Sequence, residues 1–415
     1  MRVAVLGAGA SGLVSAKHAI QSAHDVDIFE QSDVIGGTWN YYENPQEDCH
    51  SSMYKNLITN LPKEIMTFEG LNYDVNDVSY FSFRTVLKYL NDFADKFNLK
   101  EHIKFKSKVI RVSRLFQEWR IIWKNLDTGK QSESFYDAIF ICNGHYSVPV
   151  IPEIRGISTF KGKLIHSHLY RVPSEFSHRT ILTIGMGPSG QDIVFDLCTM
   201  AKKVYMSHHL KSYLKNTFPS NSEHRPDVDH FTEDSAVFVD GSSLEVDAVI
   251  LCTGYRYIFP FLDESCGIQV DDDYVYPLYK HMINIIHPTM AFIGIPHRAM
   301  IFLMLELQAK SFVSILSEKA SLPSKDKMQE DLEEWEKRVK GKGLPKRRYH
   351  MVINYVRSYL NDIARIGNVE PIPEVKFAIF EQNLQSRSKN LATYREEVFT
   401  IVDSETFTVK TKRNQ

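Results

Sequence analysis

An α/β fold with two glycine-rich βαβ units is predicted by three observations. The loop GAGASG at residues 7–12 follows the apolar run Arg2–Leu6 and precedes a helical pattern. The loop GMGPSGQD at residues 185–192 repeats that arrangement after Thr180–Ile184. A further apolar strand pattern at Met290–Gly294 follows the second unit. Each loop joins a strand to a helix N-terminus as dinucleotide pyrophosphate sites do, so we expect two Rossmann-like domains.

The chain is expected to pass through the second domain and then return to the first. We expect the first domain to begin at residues 1–165, the second to be inserted at residues 166–288, and the first to be completed with C-terminal helices at residues 289–415. A stretch with two prolines and a glycine at residues 149–156 marks the linker before the insertion. The first domain is therefore predicted to be discontinuous.

The composition is typical of a soluble globular protein. The 415 residues are 43% hydrophobic and 24% charged, with a formal net charge of −2, which argues against a nucleic-acid partner. No apolar run approaches the roughly 18 residues of a membrane helix. We therefore expect a soluble protein, cytoplasmic or, if a leader has been removed, secreted. The five cysteines are scattered and form no metal-binding or redox pattern, so no metal is expected. Oligomeric state stays open, and a homo-oligomer is compatible with the sequence.

Apolar periodicity predicts helices beyond the one that follows the first loop. They are expected at Arg84–Phe97, Asp192–Ala201, Ile301–Leu316, Lys325–Lys340 and Arg347–Ile366. The sequence after Gln382 is polar.

The first unit carries an acid at the end of its second strand. Glu30 follows Gly12 by 18 residues, where a carboxylate accepts hydrogen bonds from a ribose 2′-hydroxyl and would repel a 2′-phosphate. We therefore expect a dinucleotide without a 2′-phosphate here. The residues expected to contact it are Gly7, Gly9, Ala10, Ser11, Gly12, Glu30 and Gln31.

The second unit has no acid at the corresponding place. The same offset from Gly190 reaches His208, within a stretch that offers hydroxyl, imidazole and ammonium donors. Such donors suit a 2′-phosphate and favour NADP over NAD, although a polar surface loop would have a similar composition. The expected contacts are Gly185, Gly187, Pro188, Ser189, Gly190, Gln191 and Asp192 in the loop, with Ser207, His208, His209 and Lys211 at the phosphate.

Together these residues resemble the flavin-containing monooxygenases. The segment FKGKLIHSHLY at residues 160–170 is similar to the fingerprint of that family. The resemblance extends to Gly36–Trp39, to Thr59 and Asn60, and to the segments at residues 253–255 and 306–309. It covers the chain from Arg2 to about Lys310. In overall pattern the chain looks like the soluble insect enzymes that N-oxygenate plant pyrrolizidine alkaloids.

The resemblance implies FAD at the first loop and NADPH at the second. It implies that NADPH reduces the flavin, that O2 adds to give a C4a-hydroperoxyflavin, and that a soft amine or sulfide substrate takes one oxygen atom. Tertiary-amine plant alkaloids such as pyrrolizidine alkaloids are the expected substrates, and Asn60 is the expected catalytic residue, near C4a and the nicotinamide amide. The further cofactor contacts implied are Gly37, Thr38, Trp39, Thr59, Asn60, Leu61, Thr253, Gly254 and Gln308.

One feature departs from the family pattern. Members often carry an arginine shortly after the second strand of the NADP unit, whereas His208, His209 and Lys211 stand there in this chain. A preference for NADPH is still expected. His166 within the fingerprint is interpreted as a structural link between the domains, because histidines at i and i+2 point to opposite faces and cannot share a metal.

Three alternatives remain to be weighed. A disulfide reductase needs a redox cysteine pair, but Cys49 and Cys142 are 93 residues apart, so that class is excluded. A Baeyer–Villiger monooxygenase would oxygenate ketones, and Tyr170 and Arg171 at the end of the fingerprint favour an amine or sulfide oxygenase instead. A non-catalytic nucleotide-binding protein would have lost flavin contacts such as Trp39, which is present.

Overall fold

A computed structural model of the chain describes residues 1–45, 49–209 and 218–412. Within these ranges the α-helices are α1 (Ala10–Gln21), α2 (Phe83–Lys96), α3 (Pro188–Leu197), α4 (Ile301–Leu316), α5 (Lys325–Lys340), α6 (Val356–Gly367) and α7 (Glu374–Lys389). The strands of the same ranges are β1 (Arg2–Leu6), β2 (Asp25–Phe29), β3 (Ile103–Lys104), β4 (Ser107–Leu115), β5 (Glu118–Asn125), β6 (Gln131–Tyr136), β7 (Ala138–Ile141), β8 (Lys163–His166), β9 (Thr180–Ile184), β10 (Lys203–Ser207), β11 (Ser222–Arg225), β12 (Val228–Phe231), β13 (Ser235–Phe238), β14 (Ser243–Glu245), β15 (Ala248–Leu251), β16 (Gln269–Asp271), β17 (Tyr274–Tyr276), β18 (Leu278–Tyr279), β19 (Ile283–Asn284), β20 (Met290–Phe292), β21 (Glu397–Ile401) and β22 (Phe407–Thr411).

The first glycine loop lies at the carboxyl end of β1, an internal strand of a mixed sheet. Counted over the described ranges, this sheet has seven strands in the order β18-β19-β20-β7-β1-β2-β3. Strands β1, β2, β3, β7 and β20 are parallel, with Val5 opposite Ile28 on one side and Phe140 on the other. A parallel sheet covered on both faces needs apolar residues on both faces, and Val3, Ala4 and Val5 are fully buried. The carboxyl ends of β1, β7 and β20 therefore meet at the edge where the loop lies.

The second glycine loop lies at the carboxyl end of β9, the middle strand of a smaller sheet. In the part of the chain that the structure describes, this sheet has five parallel strands in the order β11-β10-β9-β15-β8. Helix α3 packs on β9 and β10, and the antiparallel strands β12, β13 and β14 form a separate small sheet. The predicted α/β fold with two Rossmann-like units, the second inserted into the first, is confirmed.

The boundaries 1–165, 166–288 and 289–415 stay a proposal. By strand pairing, the second sheet already includes β8 from Lys163, and the chain is back in the first sheet with β18 at Leu278. None of the described helices is long and apolar enough to span a membrane.

The bounds predicted for α4 and α5 are confirmed, but two other helix predictions were wrong in extent. Helix α3 begins at Pro188, inside the glycine loop, and not at Asp192. Helix α6 begins only at Val356, because residues 346–355 form two short 3-10 turns around a bridge between His297 and Met351. The polar sequence after Gln382 continues α7 and then forms the β21–β22 hairpin, which buries Phe399.

Candidate active site between the two glycine loops

The first loop is shaped by contacts that only glycine permits. Gly7 has φ +113°, and a Cβ there would lie 2.5 Å from the carbonyl oxygen of Cys142. A Cβ on Gly12 would lie 1.8 Å from the carbonyl oxygen of Gly7, so α1 can pack this closely on β1 only because residue 12 is glycine. Ala10 and Ser11 form the first turn of α1, and Ser11 Oγ donates to the carbonyl of Cys142 at 3.4 Å.

The segment around Gly37 faces that loop. A Cβ on Gly37 would lie 3.2 Å from the Cα of Gly9, so the two backbones approach each other closely. Trp39 is half-buried and lies edge-on to Phe302 of α4, with ring centroids 6.3 Å apart. The buried hydroxyl of Thr38 has no hydrogen-bond partner among the described residues. A polar atom left in this way beside a glycine cradle fits the predicted dinucleotide.

Glu30 holds the first loop from the end of β2. Its carboxylate accepts hydrogen bonds from the backbone N–H of Ala8 at 2.8 Å and from the backbone and hydroxyl of Ser32, each at 2.8 Å. Glu30 is 7% exposed, and Gln31 beyond it is exposed. The acid therefore lies at the place that the sequence predicted for a ribose contact.

The second loop repeats the backbone of the first. Gly185 has φ +102°, and a Cβ there would lie 2.5 Å from the carbonyl oxygen of Cys252. A Cβ on Gly190 would lie 2.2 Å from the carbonyl oxygen of Gly185. In contrast, a Cβ on Gly187 or on Gly254 would meet no described atom within 4 Å. The backbone at these two glycines borders open space of the kind that a pyrophosphate needs.

The other predicted residues of this unit surround that space. Pro188 and Ser189 are exposed at the N-terminus of α3, followed by Gln191 and Asp192 on its first turns. Thr253, at the end of β15, donates its hydroxyl to the carbonyl of Val150 at 2.5 Å.

The residues predicted for the 2′-phosphate face different surroundings. Ser207 is buried and donates its hydroxyl to the carbonyl of Pro226 at 2.8 Å. His208 is buried with Nε2 2.7 Å from Nδ1 of His224, and burial lowers its pKa, so this imidazole is neutral at pH 7. The His209 side chain is 72% exposed, and Lys211 lies outside the described residues.

A guanidinium that the sequence analysis missed lies beside them. Arg225 ends β11 and is the direct neighbour of Ser207 on β10. Its guanidinium lies 5.0 Å from the ring centroid of Tyr205 and 2.8 Å from a carboxylate oxygen of Glu223. Strand β11 has the polar sequence SEHR, without an apolar pattern from which it could be predicted. The pairing of β11 with β10 nevertheless brings Arg225 next to Ser207, at the end of the strand after which the sequence has histidines and a lysine but no arginine.

The Asn60 segment is fixed through its backbone. Thr59 bonds to Phe81 through both its N–H (2.9 Å) and its hydroxyl (3.3 Å), and the carbonyl of Asn60 accepts from Asn383 of α7 at 3.3 Å. Asn60 and Leu61 are half-buried. Nearby, Asn56 donates to Asp196 of α3 at 2.8 Å. This segment of the first domain therefore lies against the helix that follows the second loop.

Gln308 lies inside α4 and is fully buried. Its carbonyl oxygen accepts from the N–H of Gly294 at 2.9 Å, and its amide donates to the hydroxyl of Tyr359 at 2.7 Å. These bonds support a role in fixing the turn after β20, and a direct cofactor contact through this side chain stays a prediction.

The fingerprint segment ties the two domains together. The ring of His166 accepts from the backbone N–H of His168 at 3.0 Å, so it braces its own domain. His168 Nε2 lies 2.8 Å from the carbonyl oxygen of Cys49, across the domain boundary. The fully buried guanidinium of Arg171 donates to the carbonyls of Tyr42 at 2.7 Å and of Ser51 at 3.0 Å. The interdomain link predicted for His166 is made by His168 and Arg171.

A histidine–carboxylate group joins α1 to α4. His18 Nε2 lies 2.9 Å from a carboxylate oxygen of Glu306, and Lys17 Nζ lies 3.6 Å from the same atom. Among the described residues, His18, Glu69 and Glu306 are the one group close enough to share a metal ion. Lys17 already supplies the positive charge, so these contacts form an ion-pair network that holds the helix of the first loop.

Three comparisons relate the chain to known proteins. The sequence profile of the FMO-like family, flavin-binding monooxygenase-like proteins, matches residues 1–222 and 215–384. The chain is 35% identical over 418 residues to "Flavin-containing monooxygenase FMO GS-OX1" of Arabidopsis thaliana, covering 95% of this chain and 91% of that protein.

Two solved structures share the whole fold. The S-allyl-L-cysteine S-oxygenase from Allium sativum superposes with a TM-score of 0.89 at 34% identity, covering 95% of each chain. Tmm from Pelagibacter sp. strain HTCC7211 superposes with a TM-score of 0.87 at 26% identity, covering 99% of this chain and 96% of the other.

Proposed function

Because the chain belongs to the FMO-like family of flavin-binding monooxygenases, which use FAD and NADPH, we propose that it oxygenates a soft nucleophilic atom of a small molecule. The observation that carries the proposal is the pair of matched glycine loops with contrasting neighbours. The first loop is followed by Glu30, and the second is flanked by His209 and Arg225 without an acid at the corresponding position. Such a pair supports one dinucleotide without and one with a 2′-phosphate.

The residues present fit FAD at the first loop. Gly9 and Gly37 allow the pyrophosphate to approach the backbone, and Glu30 can accept from ribose hydroxyls. Trp39 offers a flat apolar surface next to them. These assignments rest on the cradle geometry and are part of the proposal.

The second loop fits NADPH. The N-terminus of α3 supplies N–H groups and a positive dipole end for the pyrophosphate, and the space above Gly187 and Gly254 is open. For the 2′-phosphate we propose Arg225, assisted by exposed His209, because a guanidinium matches phosphate geometry. Lys211 stays a predicted contributor.

When bound, the flavin accepts hydride from NADPH, activates O2 and supplies one oxygen atom to the substrate. The chain's own residues hold the two cofactors and exclude water. We propose that Asn60 orients them, because an amide can both donate and accept a hydrogen bond without introducing an acid.

Thioether sulfur is the substrate class that we place first. The support is the 34% identity, over 95% of both chains, to a protein named as an S-oxygenase. The plant relatives do not support the narrower resemblance to insect enzymes that N-oxygenate pyrrolizidine alkaloids. Tertiary-amine nitrogen stays a second candidate only because it is a soft nucleophile like sulfur. A ketone would require Baeyer–Villiger chemistry, which Tyr170 and Arg171 at the end of the fingerprint disfavour.

In the experiment, purified protein is incubated with NADPH and one of three substrates: thioanisole, N,N-dimethylaniline or cyclohexanone. The mass of each product is measured by mass spectrometry. We expect the sulfoxide to form fastest and the N-oxide more slowly, each one oxygen atom heavier than its parent. Lactone as the main product would replace the proposal with the Baeyer–Villiger alternative. No oxygenated product from any of the three would contradict heteroatom oxygenation.

A further inference from the structure

The C-terminal segment contacts both the second glycine loop and the Asn60 segment. Arg395 donates from Nη2 to a carboxylate oxygen of Asp192 at 2.7 Å, and Asp192 belongs to the second loop. From Nε the same guanidinium donates to the carbonyl of Thr59 at 2.9 Å, one residue before Asn60. A second bond from Nη2 reaches the carbonyl of Ile58 at 3.4 Å. One side chain therefore spans the NADPH loop and the Asn60 segment.

Two neighbouring side chains reinforce this span. Arg387 of α7 donates to the side-chain oxygen of Gln191 at 2.9 Å. Asn383, also on α7, donates to the carbonyl of Asn60 at 3.3 Å and accepts from the hydroxyl of Tyr80 at 2.7 Å. The same helix thus holds the second loop with one residue and the Asn60 backbone with another.

The Arg395–Asp192 pair is largely removed from water. Their side chains are 23% and 13% exposed. Burial alone would lower the pKa of Arg395, but the charge and hydrogen bond of Asp192, together with the neighbouring Tyr394 and Tyr54, outweigh it and the pKa is raised, so the guanidinium stays charged. Removing one member of such a pair leaves the other charge poorly solvated. A substitution of Arg395 should therefore have a measurable effect.

We propose that Arg395 is a positioning residue that fixes Asn60 relative to NADPH bound at the second loop. This inference rests on the proposed function. In the productive reaction NADPH, H⁺, O2 and the thioether give NADP⁺, water and the sulfoxide. In the wasteful reaction NADPH, H⁺ and O2 give NADP⁺ and H2O2. Both oxidise NADPH by two electrons, so the share of sulfoxide reports how well the cofactors and Asn60 are held together.

The test compares wild type with Arg395→Met, which keeps an unbranched apolar stem, shorter than that of arginine, and removes the charge and the donors. With thioanisole, sulfoxide formed per NADPH should fall about fivefold or more, with matching release of H2O2, while flavin content is retained. The KM for NADPH should rise, because Asp192 loses its partner. Arg395→Lys should restore part of the coupling, since an ammonium can pair with Asp192 but lacks the fork that also reaches Thr59.

The matched control is Arg357→Met. Arg357 pairs with Glu374 and Glu381 of α7, so its loss weakens attachment of the same helix without touching either loop. We expect wild-type coupling from this variant. Arg395→Met could lower thermal stability as well as coupling. In that case, partial recovery of coupling in Arg395→Lys and wild-type coupling in Arg357→Met separate loss of positioning from loss of folding.

The outcomes distinguish the two levels of the proposal. Wild type that binds no flavin or forms no sulfoxide contradicts the proposed function. Wild type that is coupled, with Arg395→Met and Arg395→Lys equally coupled and unchanged in KM for NADPH, overturns the role of Arg395. Uncoupling of the Arg357 variant to the same extent would also overturn it, because the effect would then belong to α7 as a whole.

Discussion

The two glycine loops have the same backbone and differ at the end of the strand that follows each. The N–H of Gly7 bonds to the carbonyl of Phe29 at 2.8 Å, and that of Gly185 bonds to the carbonyl of Ser207 at 3.0 Å. After Phe29 comes a buried carboxylate, Glu30, whereas after Ser207 comes a neutral imidazole with Arg225 on the next strand. On the proposed assignment, the loops provide the pyrophosphate site twice, and the residues at the strand ends select the nucleotide.

The largest expected effect comes from filling the first loop. Gly12→Ala puts a Cβ 1.8 Å from the carbonyl oxygen of Gly7, and overpacking of this kind costs about 1–3 kcal/mol. Because α1 must then move off β1, we expect the purified variant to be colourless or nearly so, as measured by flavin absorbance per chain. The matched variant Gly187→Ala should stay yellow, since a Cβ there meets no described atom within 4 Å. Equal flavin content in both variants would show that the first loop does not hold the flavin.

The next effect separates the two nucleotides at the strand end. Arg225→Met should lower kcat/KM for NADPH on the order of tenfold, the loss expected for one charge-assisted contact, with little change for NADH. The measurement is the ratio of the two values from initial rates of NAD(P)H oxidation. Arg155→Met is a suitable control, because Arg155, in the linker, pairs with an exposed carboxylate of the second domain, that of Asp229, at 3.0 Å. An unchanged ratio would assign the phosphate to His209 or Lys211 instead.

At pH 7 the smallest expected effect is that of His166, whose contribution to stability appears only on acidification. Burial, aided by the neighbouring His168, lowers its pKa from 6.5 to about 4. Above pH 6.5 both folded and unfolded states are neutral, so His166 costs nothing. Below pH 6.5 the unfolded chain binds the proton first, so the free energy of unfolding falls, by about 2 kcal/mol at pH 5.

The variant His166→Asn tests this assignment. An amide oxygen can replace Nδ1 as the acceptor of the His168 N–H while removing the titration. We expect the drop in melting temperature between pH 7 and pH 5 to become smaller in the variant. If the melting temperature of the variant falls between pH 7 and pH 5 as much as that of wild type, the loss of stability belongs to other buried histidines. His281 is one of these, because burial lowers its pKa to about 3.

The two loops could be predicted from the sequence because their signal is local. Gly7, Gly12, Gly185 and Gly190 stand at fixed spacings between an apolar strand and a helix. The position of Glu30 could be predicted for the same reason, since β2 follows α1 closely in the sequence and ends directly before Glu30. Helix α4 was predicted with its observed bounds because its sequence is mostly apolar, interrupted by Glu306 and Gln308.

Arg225 and Arg395 could not be predicted, because their contacts are distant in sequence. Arg225 reaches the place proposed for the 2′-phosphate through the pairing of a polar strand, and Arg395 meets Asp192, which lies 203 residues away in the sequence. His208 looked like a surface donor from its residue type, but its pairing with His224 depends on where β11 lies.

The most direct test of the different assignments is anaerobic addition of NADPH to the purified protein and to Gly190→Ala. In the variant a Cβ would lie 2.2 Å from the carbonyl oxygen of Gly185, which distorts the second loop only. We predict that both proteins are yellow, that NADPH bleaches the flavin of wild type, and that the same NADPH concentration leaves the variant largely unbleached. A colourless wild type, a wild type that NADPH does not bleach, or a variant that has lost its flavin would contradict the assignment of FAD to the first loop and NADPH to the second.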